Sequence, residues 1–97
     1  MIRNVVVGRL KDGVDPAEIE KGLQSLRDLR IEGLDLDLRA GPDLGLREGN
    51  AHFVLTLDLP DEESYRVYDA DDEHNRIRRE LFAPLCSSIE RIQFRLS

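Results

Sequence analysis

The chain has one cysteine, no tryptophan, three Phe and two Tyr in 97 residues. A single Cys excludes an internal disulfide framework and fits a reducing compartment. No apolar run approaches the roughly 20 residues needed to cross a bilayer. The start, Met1-Ile2-Arg3-Asn4-Val5-Val6-Val7, lacks the long apolar stretch and small-residue cleavage site of a secretory signal. A cytoplasmic, membrane-free protein is expected. Basic residues are also short: 14 Lys and Arg face 20 Asp and Glu, for a net charge of -6. That excludes the basic stripe a nucleic-acid footprint requires. Two His among scattered carboxylates have no zinc or iron spacing, so no metal is expected. Gly41, Gly45 and Gly49 precede no helix start and make no phosphate loop, so no cofactor is expected either.

What is present reads as one domain over residues 1–97, without repeat, linker or low-complexity tract. Residues 2–10 are rich in Val, Ile and Leu and stop at the turn signal Lys11-Asp12-Gly13, which predicts a strand. Asp15-Pro16-Ala17-Glu18 supplies a capping carboxylate, Pro at the first helical position and Glu behind it. Ile19, Leu23 and Leu26 then fall at helical spacing, to about residue 30. Leu34, Leu36 and Leu38 alternate with Asp35, Asp37 and Arg39 as a half-buried strand. Residues 41–49 read as a loop, long for a hairpin. Alternation resumes from Asn50 to Leu59, with Phe53, Leu55, Leu57 and Leu59 on one face and His52, Val54, Thr56 and Asp58 on the other.

Pro60-Asp61-Glu62-Glu63 opens a second helix carrying Tyr65 and Tyr68. Its apolar pattern lapses over Asp69–Glu73 and resumes at Ile77, Leu81 and Leu85. Ile92, Phe94 and Leu96 alternate with Arg91, Gln93 and Arg95 as a fourth strand. The order β-α-β-β-α-β is the split-βαβ or ferredoxin-like arrangement, an α+β fold with two helices on one face of a four-stranded antiparallel sheet. Val5 and Val7 are expected to face the helices. Ile2, Val6 and Leu10, with Asn4, are expected on the opposite face. A chain this short buries only about 60–65% of its unfolded surface. An apolar outer face on such a chain calls for a second copy, so a homodimer is expected.

The assembled pattern resembles the Dabb family, the stress-responsive dimeric α/β-barrel domain. The matching pieces are Met1 to Lys11, Gly41-Pro42-Asp43-Leu44, Asn50-Ala51-His52-Phe53, Tyr65-Arg66-Val67-Tyr68 with His74, Pro84-Leu85, and Ile92-Gln93-Phe94. The resemblance implies a dimer whose sheets face each other around a lumen, with a pocket in each subunit. A plant polyketide cyclase of that family closes its substrate by an aldol-type step. Its Tyr and His, six residues apart, fall on Tyr68 and His74. A further pocket His falls on His52. A strand-one His falls on Asn4, and the family's frequent His-Pro falls on Asp71-Asp72, so the chain departs from the pattern at both places.

Six residues on one straight helix separate side chains by roughly 120°. Tyr68 and His74 therefore converge only if the helix breaks near Asp71-Asp72, where Asp can cap a new helix. His74 and Tyr68 are the candidate acid–base pair, and Asn4, His52 and Tyr65 the candidate ligand contacts. Cys86 reads as a small hydrophobe. Three functions fit: a dimer binding a small, partly apolar molecule; a cyclase or lyase using Tyr68 and His74; or a structural stress or assembly protein.

Overall fold

The computed structural model describes all 97 residues. The elements run β1 (Ile2–Leu10), α1 (Ala17–Arg27), β2 (Asp37–Pro42), β3 (Phe53–Leu59), α2 (Glu62–Ala70), α3 (Asp72–Ile77), a π-helical turn (Arg78–Phe82) and β4 (Cys86–Arg95). The four strands form one antiparallel sheet in the order β2-β3-β1-β4. The expected fold is the one found, with the second helix divided into segments.

Local chemistry accounts for the helix starts. The Asp15 carboxylate accepts from the Ala17 N–H at 2.9 Å, and the Asp61 carboxylate from the Ser64 N–H at 2.9 Å. Each satisfies a backbone donor that the first helical turn leaves free. Ile19 and Leu23 of α1 and Leu57 and Leu59 of β3 are 1% exposed or less and form the driest part of the core. The Arg27 guanidinium donates twice to the Ala40 carbonyl, at 2.8 and 3.1 Å, and ties the end of α1 to β2. Leu34 and Leu36 pack on the core ahead of β2 rather than within it. Strand β4 starts at Cys86, earlier than the alternation at Ile92 implied, because its first half pairs with the end of β1.

The two faces of the sheet are assigned by register, and here one expectation is overturned. Ile2, Asn4, Val6 and Gly8 pair with Leu59, Leu57, Leu55 and Phe53 of β3, Leu10 pairs with Cys86 of β4, and this whole set lies under the helices. Val5 and Val7 lie on the open face, opposite Thr56 and Val54 of β3 and Ile92 and Glu90 of β4. The expected parity of β1 is thus reversed. Val and Ile occur at both odd and even positions of β1, so its apolar pattern does not select a face. Val7, Val54, Ile92 and Phe94 still give the open face an exposed apolar strip. Beside it, Arg3 holds Asp58 through two hydrogen bonds of 2.7 and 2.9 Å. That contact keeps the Asp58 carboxyl below the usual carboxylate range.

Candidate functional site

The break between α2 and α3 creates the site. Asp71 has an extended backbone (φ -64°, ψ 130°), and its carboxylate accepts from the His74 N–H at 2.9 Å. Asn75 locks the joint by donating from its side chain to the carbonyls of Asp69 and Asp71, both at 3.0 Å. One extended residue rotates α3 against α2 and cancels the angular separation that a continuous helix would impose. The rings of Tyr68 and His74 consequently stack, with centroids 4.1 Å apart and planes at 32°. Tyr65 packs on the far side of Tyr68 at 6.3 Å.

These groups line a cavity of about 50 Å³ between the helix-covered face of the sheet and the α2/α3 segment. That is room for roughly three to five water-sized groups. Val6, Leu26, Phe53, Leu55 and Phe82 form its apolar wall. Asn4, Tyr65, Tyr68 and His74 supply its polar atoms, and the exposed members of the lining, Asp69, Arg78 and Arg91, form its rim. Two glycines set the wall. A Cβ on Gly8 would stand 2.1 Å from the Phe53 ring, and one on Gly22 would stand 2.7 Å from Phe82. Only residues without a side chain let the Phe53 ring lie this close to β1 and the Phe82 ring this close to α1, and the two rings meet at 5.5 Å.

Tyr68 and His74 are 2% and 8% exposed, yet Tyr68 Oη and His74 Nδ1 have no hydrogen-bond partner. An orphaned buried polar atom costs about 1–3 kcal/mol, and most are paired in folded proteins. Both residues line the same cavity. Burial pushes the His74 imidazole below its ordinary value of 6.5, and Arg78 pushes the same way. Asp69, Asp71 and the Tyr68 backbone oppose this more weakly, so the balance favours the neutral imidazole. Burial drives the Tyr68 phenol well above its usual range, helped by Tyr65 and Asp69, and it stays protonated. Asn4 is buried, and its Oδ1 accepts from Gln93 Nε2 at 2.7 Å.

Four of the five sequence-derived candidates, Asn4, Tyr65, Tyr68 and His74, line this cavity. His52 lies outside it. It is exposed at the start of β3, where its Nδ1 accepts from the Leu10 N–H at 2.8 Å and its own N–H donates to the Gly8 carbonyl at 2.8 Å. The imidazole acts as a surrogate carbonyl where the ladder shifts register between Arg9 and Leu10. The cavity is also not in a lumen between sheets, because Asn4 sits on the helix side. Arg78 and Arg91 were missed. Their signal was present: Arg91 alternates with Ile92, and Arg78 follows His74 by four residues, one helical turn.

The profile of the stress responsive A/B barrel domain, Dabb, matches residues 2–95. The chain belongs to the Dabb family. Among solved structures, this Dabb chain is similar to a dimeric ferredoxin-like protein of unknown function from Thermobifida fusca, with 31% identity and a TM-score of 0.86 over 98% of this chain and 90% of that one. It shares its fold with a Dabb family protein from Mesorhizobium loti, at 19% identity and a TM-score of 0.77 over 99% and 96% of the two chains. The hydroxynitrile lyase of Passiflora edulis has the same fold, at 16% identity and a TM-score of 0.80 over 99% and 93%. No curated protein matches this Dabb sequence.

Proposed function

We propose that this Dabb protein is a homodimer that binds a small, partly apolar molecule in the cavity of each subunit. The observation that carries the binding reading is the pair of buried, unpartnered atoms, Tyr68 Oη and His74 Nδ1, on two residues that line one cavity. A ligand oxygen accepting from the phenol and a ligand hydroxyl donating to the imidazole would satisfy both. The apolar wall would take the rest of the molecule, as such pockets generally do. The dimer is supported by the apolar strip of Val7, Val54, Ile92 and Phe94, and by the dimeric state of the Thermobifida protein. Two such strips, packed together, would remove from water surface that single domains rarely leave exposed.

A second reading is favoured by the protonation states. Neutral His74 beside protonated Tyr68 matches a base and a hydrogen-bond donor. His74 would remove a proton next to a carbonyl, or from a hydroxyl, while Tyr68 stabilises the developing oxyanion. Aldol-type ring closure and a lyase step both use that division of labour.

Native mass spectrometry tests the binding reading and the dimer together. The expected species is a dimer carrying a small co-purifying molecule, and the adduct is expected to disappear in Tyr68→Phe and His74→Phe. A bare dimer overturns the ligand, and a monomer overturns the interface. For the catalytic reading, a bell-shaped rate profile is expected to lose its lower limb in His74→Gln.

A further inference from the structure

The rim of the cavity points to the charge of its occupant. The chain is acidic, and Arg3, Arg27, Arg39, Arg66, Arg76 and Arg95 are each paired with a carboxylate. Arg9 and Arg30 donate to backbone carbonyls. Arg47, Arg78, Arg79 and Arg91 make no ion pair or side-chain hydrogen bond, and of these four Arg78 and Arg91 line the cavity. They come from separate elements. Arg91 lies on the helix-facing side of β4, opposite Val6 of β1, and Arg78 opens the π-helical turn. The wide turn closes from the Ala83 N–H to the Arg78 carbonyl at 2.9 Å. Such turns recur at functional sites because they redirect a side chain. Asp69 lines the same cavity without forming an ion pair with either arginine. Two arginines and one aspartate leave the rim with a charge of about +1.

We propose that the cavity takes a small organic monoanion, a carboxylate held by Arg78 and Arg91, whose hydroxyl or carbonyl group lies a few atoms away at Tyr68 and His74. This rests on the binding reading above and names the class of molecule. A guanidinium presents a planar fork of donors that fits a carboxylate and is never deprotonated. A rim of one net positive charge suits a monoanion better than a phosphate ester. The apolar wall of Phe53, Phe82 and Val6 leaves the organic portion of the acid without competing polar partners.

The test is calorimetric titration of the intact protein at pH 7 and constant ionic strength with 2-oxobutyrate, its neutral amide and inorganic phosphate. The acid is expected to bind at least tenfold more tightly than the amide. Arg78→Gln and Arg91→Gln are each expected to weaken the acid about tenfold or more and to leave the amide unchanged. Tyr68→Phe is expected to weaken both. Equal affinity for acid and amide, with both still sensitive to Tyr68→Phe, overturns the carboxylate assignment and leaves the binding cavity standing. Acid affinity that ignores both arginines, or phosphate binding more tightly than the acid, overturns it as well. No heat from either organic probe, in protein whose dimer is intact, removes the assignment and the binding reading together.

Discussion

The two halves of the layer between sheet and helices are built from one strand pattern and behave differently. On α1 and β3, Ile19, Leu23, Leu57 and Leu59 are all but fully buried and bring no side-chain polar atom into the core. Under α2 and α3, the same sheet face meets Asn4, Tyr68 and His74 around a cavity. The first half resembles a small-protein core. The second carries two polar atoms that the fold does not satisfy, so it takes stability from the first half and returns a shaped, partly dry recess. A domain this small has few such groups to spare, which makes their pairing at one place the feature to explain.

Three experiments break or sharpen that contrast. Leu23→Ala under α1 is expected to cost about 2–5 kcal/mol, because it removes a fully buried side chain and leaves a hole. Chemical denaturation measures it. Tyr68→Phe under α2 is expected to do the opposite in ligand-free protein, raising stability by about 1 kcal/mol as an unpaired buried hydroxyl is removed. A loss comparable to that of Leu23→Ala would make the two halves alike. The smallest effect is the pH dependence. His74 has a folded-state value below 6.5, so the unfolded chain takes up the proton first. Its contribution is therefore intact above about pH 7 and is lost as the pH falls from about 6.5 toward the folded-state value. Arg78 from the π-helical turn adds to that loss, and Asp69 and Asp71 offset part of it. A melting-temperature series from pH 7.5 to about 5 is expected to be flatter in His74→Phe than in the natural chain.

Much of this was legible in the residues. The element order followed from period and turn chemistry, and the Asp71 joint from the lapse of the apolar stripe where a capping residue stands. The stacking of Tyr68 on His74 depends on that joint and could be anticipated from it. The facing of β1 could not. Val5, Val6 and Val7 are interchangeable to a periodicity argument, and only the pairing of Asn4 with Leu57 decides which side Asn4 takes. His52 was a candidate because a pocket His of the family falls on it, and a ring nitrogen standing in for a carbonyl is invisible until the ladder is laid out. Arg91 entered only as a polar member of an alternating strand, with no face assigned to it. The exposed apolar residues of β4, Ile92 and Phe94, occupy the open face, which sends its polar ones toward the cavity.

Gly8 and Gly22 have a consequence for how the molecule should be surveyed. The cavity wall is shaped there by missing methyl groups, not by side chains. A conventional alanine scan subtracts atoms at every other wall position and adds one at these two. Gly8→Ala and Gly22→Ala therefore probe the recess by displacing the Phe53 and Phe82 rings of its wall, and they belong in a different column from every truncation. Reading the scan as a single series of deletions would hide the two positions that set the distance between the aromatic rings.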